Sequence, residues 1–116
     1  MKENVIQIKS YDFALKTIKL YQQHYQKSME RSLFRQLLNS ATSVGANVEE
    51  AEGAQSKRDF IAKMSISYKE ARETKYWLKL LRDSHLIENG EANQMISECE
   101  ELIRILTAIL NSSKNS

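Results

Sequence analysis

Ser56-Lys57-Arg58-Asp59 opens the stretch that decides the fold, SKRDFIAKMSISYKEARETKYWLKLL over residues 56–81. A hydroxyl at Ser56 with a carboxylate three residues on is a variant of the capping box, so a helix is predicted to begin at Lys57. Phe60, Met64, Ser67, Ala71, Thr74, Leu78 and Leu81 then recur at alternating four- and three-residue intervals. That rhythm is a heptad seam, and it needs a nearly parallel or antiparallel neighbour to cover it.

The same rhythm extends outward in both directions. Ala92, Met95, Cys99, Leu102, Leu106 and Ile109 form a matching seam, backed by Ile96, Ile103 and Leu110, after a turn placed at His85 to Glu91. Upstream, Leu33, Leu37, Ala41, Val44, Val48 and Ala51 line one face of a segment that Gly53 is expected to end. Phe13, Ala14, Thr17, Ile18, Tyr21 and Tyr25 mark a first segment, with Ser10 as its expected N-cap and residues 111–116 as a frayed tail. Four helices, at about 11–26, 29–52, 57–84 and 91–110, are joined by turns too short for anything but antiparallel neighbours. The expected fold is all-α: a single antiparallel up-down-up-down four-helix bundle over residues 1–116.

Composition agrees. The chain has 116 residues, no proline and three glycines, Gly45, Gly53 and Gly90, so little interrupts helix. No apolar run approaches the ~20 residues of a membrane span, and residues 1–7 lack a signal-peptide core. A cytoplasmic protein without membrane contact is expected. One cysteine, Cys99, excludes an internal disulfide.

Catalytic and metal-binding patterns are missing. A di-iron bundle needs Glu-x-x-His on two helices, but Tyr21 and Arg82 stand three residues before His24 and His85. Cys99 lies on an apolar seam with no histidine near it in sequence, and three isolated glycines build no phosphate loop. Neither enzyme activity nor a cofactor or metal is expected.

Two features exceed a generic bundle. Gly45 and Asn47 are poor helix formers inside a helix, and Ser43, Asn47, Glu50 and Ala54 form a polar stripe beside the core stripe. The stripe is either an ordinary helix crossing or a specificity element at an interface or ligand surface. The second feature is charge. Residues 54–84 carry eight Lys/Arg against four Asp/Glu, within a chain whose net charge is only +2. Lys69, Arg72, Lys75, Lys79 and Arg82 run along that helix beside the seam. They make either a solvated face, with Lys69–Glu73 and Lys79–Asp83 pairs, or a phosphate-tracking surface with Tyr76 as its aromatic. Surplus apolar positions at Leu20, Phe34, Ile61, Ile66, Trp77, Leu80 and Ile105 point to a homo-oligomer, since a monomer rarely exposes so much.

Ser43-Val44-Gly45-Ala46-Asn47-Val48-Glu49-Glu50-Ala51, then Ser56 to Phe60, then Lys69 to Leu78, resemble the bacterial four-helix-bundle proteins related to the 23S rRNA intervening-sequence protein. The signature Ser-[Ile/Val]-x-x-Asn-[Ile/Val]-x-Glu falls on Ser43, Val44, Asn47, Val48 and Glu50. Later elements fall on Ser56, Asp59, Phe60, Glu70, Trp77 and Leu78. The similarity spans about Phe13 to Ile109. Ala51 stands where many relatives have glycine, and the proline of their first loop is absent. The resemblance implies a bundle assembling into a ring, typically of five subunits, and in the similar accessory proteins of diversity-generating retroelements it implies contact with nucleic acid and a reverse transcriptase. A ribosomal-protein label in this family is inherited from its naming. Ser43, Asn47, Glu50, Asp59, Phe60, Glu70 and Trp77 are thus candidate signature or interface residues, and Lys69, Arg72, Lys75, Lys79 and Arg82 candidate nucleic-acid contacts. The leading expectation is a non-enzymatic, homo-oligomeric scaffold associated with RNA, DNA or a ribonucleoprotein. The alternative is a protein-interaction module whose ring recruits a protein partner without touching nucleic acid.

Overall fold

Residues 4–24, 26 and 29–115 are described by the structure, a computed structural model. Four helices carry the chain: α1 (Val5–His24), α2 (Arg31–Glu52), α3 (Lys57–Asp83) and α4 (Asn89–Lys114), with no strand among the described residues. Each helix meets the next, α1 also meets α4, and the pairs α1/α3 and α2/α4 lie on the diagonals. The result is the predicted four-helix bundle, 46 × 23 × 20 Å.

The α3 seam behaves as its spacing demands. Met64, Ser67, Ala71, Thr74, Leu78 and Leu81 are buried, and half-buried Phe60 closes one end. Ser56 Oγ accepts the Asp59 backbone N–H at 3.0 Å, which is the predicted cap. Small and hydroxylated residues on this seam let neighbouring backbones approach. Ser67 Oγ donates to the Val44 carbonyl oxygen at 2.8 Å, and Thr74 Oγ1 lies 2.9 Å from Ser40 Oγ. Among the described residues no buried side-chain polar atom lacks a partner, so these hydroxyls carry no desolvation penalty.

Several helix boundaries and face assignments differ from the sequence expectation, each for a local reason. Ser10 is a buried position inside α1, and the Asn4 side chain accepts the Gln7 N–H in the capping role. Ile6, Ser10, Phe13, Thr17 and Leu20 form the inward stripe, while Ile18 faces solvent. Leu20 and Phe34, counted as surplus, are core. Gly53 keeps a right-handed φ of −96°, so α2 ends without using glycine's conformational freedom. The left-handed residue is instead His85, φ 62°. His85 N–H donates to the Arg82 carbonyl and Leu86 N–H to the Leu81 carbonyl, a Schellman closure of α3 with Leu86 over the core. This frees Asn89 and Gly90 to begin α4, where Glu88 accepts the Glu91 N–H at 2.9 Å. At the far end α4 continues through the expected tail to Lys114, and Leu110 is buried. Tyr25, in the predicted α1 stripe, lies outside the described residues.

Gly45 sits where α1 crosses α2. A Cβ built there would meet the Ser10 carbonyl oxygen and Oγ at 3.5 Å, ordinary van der Waals contact. Gly45→Ala therefore gains helix propensity without a clash, and chemical denaturation is expected to show about 0.5–1 kcal/mol of added stability.

Candidate nucleic-acid interface

The groove between α3 and α4 is built by the heptad geometry: residues just off the α3 seam lean over α4. Arg72, Lys75, Tyr76 and Lys79 from α3 and Ile103 from α4 line an open hollow of about 260 Å³. A second hollow, about 330 Å³, follows along the same pair of helices, lined by Tyr68 and Lys69 from α3 and by Thr107, Leu110 and Lys114 from α4. From Lys69 to Arg82 the groove runs about 20 Å at the rise of an α-helix.

The five predicted cations divide into two kinds. Lys75 Nζ is 2.9 Å from Glu100 Oε2, and Arg82 Nε is 2.8 Å from Asp83 Oδ1, so both are paired. These bonds hold the Glu100 and Asp83 carboxyls below the usual carboxylate range. Arg82 also donates to Asn93 Oδ1 at 2.9 Å, tying α3 to α4. Lys69, Arg72 and Lys79 form no ion pair among the described residues. The expected Lys69–Glu73 and Lys79–Asp83 pairs do not form, because Glu73 accepts the Trp77 indole N–H at 3.0 Å and Arg82 takes Asp83. Arg72 is steadied instead by Tyr68, whose hydroxyl accepts from Nη1 at 3.1 Å and whose ring centroid lies 5.8 Å from the guanidinium carbon. Tyr76 is 57% exposed and packs edge-on against Trp77 at 5.2 Å between centroids. Three unpaired cations beside a presented aromatic face can hold phosphates and stack a base.

The signature residues do not converge on one point. Ser43 Oγ donates to the Asn39 carbonyl and Asn47 Nδ2 to the Ser43 carbonyl, both within α2, as short polar side chains commonly do inside helices. Glu50 crosses to α3, 2.8 Å from Lys63 Nζ. Asp59 belongs to the α3 cap and Phe60 packs against the core. Glu70 is half-buried, and burial followed by the nearby Glu73 charge pushes its carboxyl up. Trp77 is half-buried and packs against the core.

No group of three or more metal-ligating side chains occurs among the described residues. His24 stacks on Phe34 at 5.4 Å, and His85 holds the α3–α4 turn. Burial pushes the Cys99 thiol up to about 12, and Sγ lies 3.2 Å from the Ala71 carbonyl oxygen. Cys99 is therefore expected to resist a thiol-alkylating reagent in folded protein at neutral pH and to react fully once unfolded; rapid native-state labelling would contradict its enclosure. No helix among the described residues is long and apolar enough to cross a membrane.

Sequence reasoning missed the α4 side of the groove. Residues 85–116 are acidic on balance, so a segment-wise charge count hides Lys114, which lines the second hollow, and exposed Arg104, which acts on Glu100.

A family model described as 23S rRNA-intervening sequence protein matches residues 2–108. Among solved structures the chain is similar to a protein of unknown function from the S23 ribosomal protein family of Bacteroides thetaiotaomicron. The two share 38% identity over 90% of this chain and 97% of that one, with a TM-score of 0.87. No curated protein matches.

Proposed function

The chain belongs to the 23S rRNA-intervening sequence protein family, and from that premise we propose that it is a non-enzymatic, self-assembling scaffold, a ring of about five copies, that holds RNA or DNA along the α3–α4 groove in the cytoplasm. The observation that carries the reading is the set of unpaired cations, Lys69, Arg72 and Lys79, beside exposed Tyr76. A protomer of net charge +2 has a weak overall field, but repetition of the groove around an assembly multiplies the local one. The contacts are to phosphates and base faces, so binding depends little on sequence and steeply on salt.

The test is binding of fluorescent RNA and DNA oligonucleotides across a salt series, with Arg72→Gln/Lys79→Gln as the variant. Unchanged affinity and salt slope in the variant would leave the groove a solvated face. Absence of binding by the parent would favour the second reading, an assembly that recruits a protein partner.

A further inference from the structure

α1 carries two apolar stripes. The inward one, Ile6 to Leu20, is core. The other, Ile8, Tyr11, Leu15 and Ile18, recurs at intervals of three, four and three on the opposite side of the helix and is 37–68% exposed. A heptad seam with nothing over it is a partner surface, because a monomer gains nothing from that spacing.

α3 has a second stripe of its own. Ile66, Glu70, Glu73, Trp77 and Leu80 follow at alternating four- and three-residue intervals outside the buried seam, with Ile66 and Leu80 exposed and Trp77 half-buried. Two carboxylates, Glu70 and Glu73, interrupt it, and neither meets a cation among the described residues. Lys19, exposed beside the α1 stripe, likewise has no ion pair.

The geometry points to a second copy of this chain as the occupant: the outer α1 stripe of one copy docks on the outer α3 stripe of the next, with Lys19 against Glu70 and Glu73. Charge decides between the pairings. Two α3 stripes facing each other would oppose four carboxylates, and two α1 stripes would leave the α3 stripe uncovered. Only the unlike pairing covers both stripes and places Lys19 among the acids. Since α1 and α3 lie on a diagonal of the bundle, both faces can be used at once, and the contact is head-to-tail, the kind that builds rings. This docking rests on the self-assembly proposed above and names the surfaces that perform it.

Single-cysteine additions test it, with buried Cys99 as a silent background. Ile18→Cys and Ile66→Cys proteins are mixed under assembly conditions and treated with a short flexible bis-maleimide. The expected product is a cross-linked pair containing one copy of each, with little product from either protein alone. Self-cross-linking of Ile18→Cys, or no product from a mixture whose sedimentation shows an oligomer, overturns the docking while leaving self-assembly standing. A parent that sediments as a 13.4 kDa monomer at micromolar concentration overturns both. Leu15→Glu, at an exposed position, is expected to retain helicity by circular dichroism and to lower the sedimenting mass to that of the monomer. An unchanged oligomer mass in folded Leu15→Glu also overturns the docking.

Discussion

Leu78→Ala lowers the free energy of unfolding by about 2–5 kcal/mol, measured by urea denaturation at fixed protein concentration. Leu78 is fully buried in the C-terminal part of the α3 seam. Truncation removes most of an aliphatic side chain from a close-packed site, and the cost is the lost transfer free energy plus that of the cavity left behind. The neighbours on its own stripe, Thr74 and Leu81, cannot slide in without breaking the Thr74–Ser40 contact or uncovering the end of α3. The loss therefore belongs in the upper part of the range. Protein concentration is held constant because association adds to apparent stability by mass action. A loss below about 0.5 kcal/mol would mean that residue 78 is not enclosed and that the register of α3 is different.

The second large effect is on binding. Arg72→Gln/Lys79→Gln removes two of the three unpaired α3 cations of the groove without touching a core residue or an ion pair. Each phosphate contact contributes about 0.7–0.9 to the log–log salt slope, so the slope flattens by about 1.4–1.8. Carried from molar salt down to about 0.1 M, that corresponds to roughly 25- to 60-fold weaker binding, with the difference shrinking as salt rises. Lys75→Gln is expected to do less, since its ammonium already faces Glu100 at 2.9 Å and its removal also exposes that carboxylate. Equal effects at Lys75 and Lys79 would show that ion pairing within the groove does not select the contacts.

Periodicity carries most of this fold. The α3 and α4 seams are legible nearly residue by residue, because an uninterrupted alternation of four and three admits one register; at the ends Phe60 and Ile109 are only half-buried, and Leu110 takes the buried place in α4. α1 is only partly legible: Phe13 and Thr17 lie on its seam as expected, but Ser10, which looks polar in sequence, is buried there too with its hydroxyl bonded to its own helix backbone. A search for apolar residues passes over Ser10 and takes Ile18 instead. The α3–α4 turn was misplaced for a related reason. Asn89-Gly90 is the conventional turn signal, yet His85 takes the left-handed position. What fixes it there is the tertiary placement of Leu86, not the intrinsic preference of histidine. The candidate groove was half legible. The α3 cations stood out by spacing, whereas their pairing did not: Glu73 was expected to serve Lys69, but the Trp77 indole has a rigid donor within reach.

The boundary between α1 and α4 is the narrowest of the four helix–helix contacts, and its bridges are charges: Lys9 to Glu101 at 3.2 Å and Lys16 to Glu98 at 3.0 Å, all partly exposed. Pairs of that kind contribute little, typically ~0–1 kcal/mol each. The α1–α4 edge is thus the least extensively packed side of the bundle, closed over its apolar residues by a charged latch. Opening begins at the latch, and amide exchange follows that hierarchy: fastest along the α4-facing side of α1, slowest in the middle of α3, where cover comes from two sides. High salt, by weakening the latch, loosens that edge before it touches the core.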